Sequence, residues 1–186
     1  LTYTVAATLG NPLPANNQQQ VTREGRFHLL HLTSDALQPD EVAYGDLTLA
    51  TDAPDVSWQE YWFRGGWNDN LETYWRDFTA PSPLKNRSYP LDKAGKDNHG
   101  TLAARLTIAP GAKERARFVI AWSFPNCQNY WNPQACNCAQ ESGVPCTWRN
   151  YYATQWENSR ASALYALEQW ERLYGETRLF KETLFT

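Results

Sequence analysis

Four cysteines, Cys127, Cys136, Cys138 and Cys146, fall within one short stretch, and they are the only cysteines of this 186-residue chain. Four thiolates gathered into a tetrahedron would hold a structural zinc ion at about 2.3 Å per bond. Zinc bound by Cys127, Cys136, Cys138 and Cys146 is the first reading, as a structural cofactor with no part in catalysis. The spacing is not the paired C-x2-C form common in zinc modules. Disulfides therefore stay open, and because Cys136 and Cys138 stand too close in sequence to bond readily to each other, two bridges would have to cross the loop. Disulfides require an oxidising compartment, and zinc favours the cytoplasm. Unlinked thiols are the third possibility. In either linked case the role is to order a long loop with little apolar content.

The remaining candidates are weaker. Asp69, Glu72 and Asp77 lie in one aromatic-rich segment, and Asp35, Asp40, Glu41 and Asp46 in another. Such carboxylates mostly serve as solvated surface or helix caps. His28 and His31 stand three apart in a strand-like run, which points them to opposite faces and argues against a shared metal. The sequence carries no Gly-rich phosphate loop and no Ser/His/Asp or Cys/His pattern, so no catalytic residue is assigned. Nine Trp and ten Tyr suit either a large aromatic core or sugar stacking, with Trp58, Trp62, Trp67 and Trp131 as platforms. A net charge of −3 with both signs mixed argues against nucleic acid as a partner. No apolar run reaches the ~18–20 residues of a membrane span.

The elements that must position these residues read as strands first and helix last. Strand patterns begin at residues 1–8 and continue at Arg26–Thr33, Tyr44–Ala50 and Val56–Arg64, bounded by Gly, Pro and Asp. Residues 10–20 read as turn and loop. Trp67, Leu71, Tyr74 or Trp75, and Phe78 fall at helical spacing. Leu102, Ala104, Leu106 and Ile108 alternate before Pro110-Gly111; Ala116, Phe118, Ile120, Trp122 and Phe124 alternate after it. That pattern predicts an antiparallel hairpin with one buried face. From about Asn158 the period becomes helical, with one apolar stripe through Ala163, Leu167, Trp170, Tyr174, Phe180 and Leu184 and a bend expected at Gly175. The fold expected is mainly β: an antiparallel β-sandwich, a Cys-rich loop and one long C-terminal α-helix.

Several of these stretches resemble glycoside hydrolase family 116, the group of non-lysosomal glucosylceramidases and bacterial β-glucosidases. The residues are Phe118-Val-Ile-Ala-Trp-Ser-Phe-Pro-Asn126, Trp148-Arg-Asn-Tyr-Tyr-Ala-Thr154 and Leu167 to Phe185, with Tyr44-Gly-Asp-Leu, Trp67-Asn-Asp-Asn-Leu, Tyr74-Trp-Arg-Asp-Phe78 and Gly100-Thr-Leu-Ala-Ala upstream. The resemblance implies a β-sandwich that packs on an (α/α)6 catalytic barrel through a connecting helix. It implies retaining hydrolysis of β-glucosides by two carboxyl groups about 5–5.5 Å apart, both carried by the barrel and neither matched here. Residues 1–126 are then an incomplete sandwich, 127–156 a Cys-rich junction loop, and 157–186 the helix leading to the barrel. The absence of Met and the strand-like start at Leu1 fit a piece of a longer protein whose own downstream domain is its partner. A stand-alone carbohydrate-binding module and a zinc-ordered interaction domain are the competing readings. An apolar helix end left exposed would favour the first, and an exposed coplanar Trp pair the module.

Overall fold

A computed structural model of the chain describes residues 2–8, 17–62, 70–88, 99–129, 131 and 147–185. In chain order these form β1 (Thr2–Thr8), β2 (Asn17–Glu24), β3 (Phe27–Ser34), β4 (Asp46–Thr51) and β5 (Val56–Gln59). Then come α1 (Asn70–Thr79), β6 (His99–Arg105), β7 (Phe118–Ser123), β8 (Asn126–Gln128), β9 (Thr147–Arg149), α2 (Tyr152–Gln155), α3 (Ser159–Glu168) and α4 (Trp170–Leu184).

Two antiparallel sheets face each other, one ordered β1-β6-β5 and the other β2-β3-β4-β7. Leu30 and Leu32 of β3, Leu49 of β4 and Leu102 of β6 meet between them, all essentially excluded from solvent. Strand alternation delivers this core, because residues two apart share a face. The sheets approach closely at Gly100, where a Cβ would stand 2.6 Å from Leu30 Cδ2. Each outer face carries a helix. Ala163 and Leu167 of α3 pack on Phe27, Leu29 and Ala50. On the other side, Tyr74 of α1 stacks on Trp62 at 4.3 Å and its hydroxyl donates to Thr4. The expected β-rich architecture with a C-terminal helix is present.

Five details differ from the sequence expectation. First, β6 and β7 do not form a hairpin. β6 lies between β1 and β5, whereas β7 pairs with β4 in the opposite sheet. The Pro110-Gly111 turn does form, with the Ala112 N–H donating to the Ala109 carbonyl and Gly111 at φ 76°, but it carries the chain between sheets. Residues 100–104 of β6 are all buried, so this strand needs a partner on both edges and cover on both faces.

Second, the alternating face of β7 is only partly covered. Phe118 and Phe124 pack on the inter-sheet core, but Ile120 and Trp122 are 48% and 62% exposed. They stand opposite Leu49 and Leu47 and so point toward the other sheet, beyond the strands that it supplies. The reverse face of β7, with Val119 and Ala121, packs under α3.

Third, residues 17–20 are strand rather than loop. Asn17–Glu24 pairs along its length with β3 through a two-residue turn that starts at Gly25 with φ 57°, the backbone region such hairpins require. Its polar composition hides the strand, whose buried members include Asn17 and Gln19. Fourth, α1 turns Thr73 and Asp77 inward and leaves Leu71 and Trp75 exposed. Asp77 is buried because Arg87 and Gln59 bond to its carboxylate. Along the C-terminal helical run the break falls at Gln169, not at Gly175. Helix continues through Gly175, which the Arg172–Glu176 ion pair spans at 3.0 Å.

Candidate functional site

The residues with the densest chemistry form a joint that fixes the helical run to the sandwich. β4 opens on Gly45-Asp46, and Asp46 lies on the outer face of its sheet beneath the start of α3. The Asp46 carboxylate accepts the Ser159 backbone N–H at 3.2 Å and the Ser159 hydroxyl at 2.8 Å. His31 Nε2 approaches the same carboxylate at 2.6 Å. Asn158 caps the helix by accepting from the Ala161 N–H. The fully buried Ser159 hydroxyl also meets the Thr48 hydroxyl at 2.7 Å. A carboxylate at a helix N-terminus satisfies donors that the helix cannot pair and interacts favourably with the helix dipole.

Serine, histidine and aspartate thus come together, which sequence inspection missed because Asp46 and Ser159 are far apart in the chain. The order of contacts differs from that of a nucleophilic triad, in which the base joins serine and carboxylate. Here both partners bond to Asp46, and Ser159 is sealed from substrate. The arrangement holds a helix in place. Asn158-Ser159 at the change of period was its one visible signal, as a helix start.

A second set of bonds closes the joint. The Tyr152 hydroxyl donates to the Phe124 carbonyl and accepts from the Phe124 N–H. The Asn150 side chain donates to the same carbonyl at 2.9 Å, and its backbone N–H donates to Pro125 at 2.8 Å. Gly45 leaves room for this, since a Cβ there would lie 2.3 Å from the Phe124 ring and 2.5 Å from the Ser123 carbonyl. β8 and β9 pair between these contacts and tie together the two ends of the cysteine-bearing stretch.

The predicted site residues are distributed unevenly. Cys127 lies in β8, half-buried with a free thiol, opposite Trp148. Cys136, Cys138 and Cys146 lie outside the described residues, as do Trp67 and Asp69. Among the described residues no group of three or more His, Cys, Asp or Glu side chains is arranged to hold a metal. His28 and His31 face opposite sides of their sheet, as the register requires. Burial first, and then the charge of Arg23, hold His28 below the usual imidazole pKa. Trp62 is buried, with its ring against Tyr74 and His99 and its N–H donating to Thr101. It cannot serve as a sugar platform. Trp58 donates to Ser88 and packs on the core, whereas Trp131 is exposed.

Beyond the joint the helix leaves the body. Arg117 holds the start of α4 by pairing with Asp52 and Glu171 and by lying 5.5 Å from the centre of the Trp170 ring. No residue of α4 is buried, and Phe180 and Leu184 are 67% and 61% exposed.

The family model described as "beta-glucosidase 2, glycosyl-hydrolase family 116 N-term" matches residues 3–173. The chain belongs to this family. As a glycoside hydrolase family 116 N-terminal domain, it carries the family match from β1 through the joint into the second turn of α4. The exposed far end of the helix follows that match. Comparison with curated proteins finds no match.

The family resemblances noted in the sequence acquire physical reasons here. In Tyr44-Gly-Asp-Leu, Gly45 admits Phe124 and Asp46 anchors Ser159. In Gly100-Thr-Leu-Ala-Ala, Gly100 admits Leu30, Thr101 accepts from Trp62, and the rest is buried.

Proposed function

We propose that this domain is the non-catalytic N-terminal portion of a retaining β-glucosidase or glucosylceramidase-type hydrolase, and that α4 docks it onto the catalytic barrel. The exposed apolar end of α4 carries this reading. Tyr174, Leu179, Phe180, Leu184 and Phe185 all present large apolar surface to solvent, whereas α3, immediately before them, buries Ala163 and Leu167 in the sheet. A module complete in itself would cover such a helix, because extended apolar surface marks an interaction site. The same contrast favours a connecting helix over a stand-alone sugar-binding module. Residues 127–156 then form the junction, which Cys127, Cys136, Cys138 and Cys146 would brace through structural zinc. The β-glucoside would be bound by the barrel, and the catalytic carboxyls would come from there.

Two measurements test the reading. The purified 186-residue chain should hydrolyse no aryl β-glucoside, and turnover by a clean preparation would place catalytic groups within it. Metal analysis of the same preparation should give one zinc per chain, released on acidification as the thiolates protonate. Metal-free protein with two disulfides would remove zinc from the account and leave the docking role intact.

A further inference from the structure

A groove of about 570 Å³ runs where the first two turns of α4 leave the sandwich, walled by the segment leading into β7, by β1 and by α4 itself. Its size falls within the range of about 300–1,000 Å³ typical of small-molecule sites. The chemistry of its lining is mixed. Trp170 and Tyr174 stand four residues apart on α4, which places both rings on one face, about 6 Å apart along the helix axis. Glu114, Arg115, Arg117 and Glu171 surround them, two acids against two bases, so the lining carries no net formal charge. The Trp170 ring is held in place: the Arg117 guanidinium lies 5.5 Å from its centre and is itself fixed by Asp52 and Glu171. Glu114 and Arg115 are exposed and form no ion pair among the described residues, which leaves their hydrogen-bonding groups for a ligand.

This lining selects by exclusion. An acyl chain would bury four charged side chains against a surface that cannot bond to them. A phosphate or a polyamine would meet as many like charges as opposite ones. A neutral saccharide satisfies both parts. The C–H faces of its rings stack on aromatic side chains, and its hydroxyls donate to carboxylates and accept from guanidinium groups. We propose that this groove binds a neutral oligosaccharide, with Trp170 and Tyr174 stacking on consecutive sugar units and Glu114 and Arg115 bonding to their hydroxyls. The fixed position of the Trp170 ring lowers the ordering cost of binding. Membership of a β-glucosidase family makes a chain of glucose units the ligand to try first. The site lies at the near end of α4 and does not depend on what covers the far end.

The test is an NMR titration of the isotope-labelled 186-residue chain with cellotetraose. The expected result is a saturable shift, at millimolar sugar, of the Trp170 indole N–H and of the backbone amides of residues 114–117. Tyr174→Ala and Arg115→Ala, both at exposed positions, should each weaken binding at least about fivefold and leave the amide spectrum away from the groove unchanged. Trp75→Ala, which removes an exposed ring on α1, should bind as the unsubstituted chain does. Absence of shifts, shifts confined to other residues, or equal shifts with glycerol at matched concentration would overturn the proposal. Undiminished binding by both groove variants, or an equal loss in Trp75→Ala, would do the same.

Discussion

Asp46 is the residue on which the joint depends. Its carboxylate satisfies two donors of Ser159 and pairs with His31 in a mostly buried setting. Replacing Asp46 with Ala should cost about 2–3 kcal/mol in urea denaturation, since buried bonds to a charged acceptor are lost and their donors stranded. A loss below about 0.5 kcal/mol, the scale of an ordinary surface change, would show that the helix is held by packing alone. Gly45→Ala forces a methyl group against the Phe124 ring and the Ser123 carbonyl, and overpacking of this kind costs about 1–3 kcal/mol. His28 makes stability depend on pH. Its pKa is lowered in the folded state, so between that value and the unfolded value of about 6.5 the unfolded chain binds more protons. The stabilisation is complete above about pH 6.5 and is lost as the pH falls from there toward the folded value. His28→Gln should flatten the melting temperature over that window, and an unchanged slope would assign it to other groups. At this scale the sequence was only partly legible. Asp46 could be recognised as a candidate cap, but its client lies more than a hundred residues away, and no local pattern connects them.

At the scale of elements, period served better than partner. The helical run from Asn158 was legible because its apolar residues recur by threes and fours, and β3 and β4 because theirs are bounded by turn residues. The pairing of β6 and β7 was not, because a Pro-Gly turn looks the same whether it closes a hairpin or crosses between sheets. The strand β2 was hidden by Asn17-Gln-Gln-Gln, whose polar side chains mask a fully paired backbone. The two helical halves should respond differently to truncation. Leu167→Ala, in the packed part of the run, should cost about 2–5 kcal/mol. Leu179→Ala, on the exposed part, should stay within about 0.5 kcal/mol in the isolated chain. Equal losses by thermal or urea unfolding would mean that α4 is packed in solution against the body.

At the scale of the molecule, four layers are stacked: α1, the sheet of β1-β6-β5, the sheet of β2-β3-β4-β7, and α3. The outer helices are secured by specific polar contacts, whereas among the described residues the far end of α4 and the β7 residues Ile120 and Trp122 expose apolar surface. This division between a packed core and exposed apolar margins supports the proposed role as a supporting domain. The family resemblance was legible from short stretches, several of which owe their residues to close packing at Gly45 and Gly100. Placement of the open surfaces was not, since an exposed leucine and a buried one have the same period. The central claim is that α4 couples this domain to a separate catalytic barrel. Its most direct test is aryl β-glucoside turnover by the full-length enzyme carrying Phe180→Asp and Leu184→Asp, with Leu71→Asp on exposed α1 as the control. Turnover should fall at least about tenfold, equivalent to about 1.4 kcal/mol of lost coupling, while the control keeps its activity. Full activity in the double variant would contradict the account.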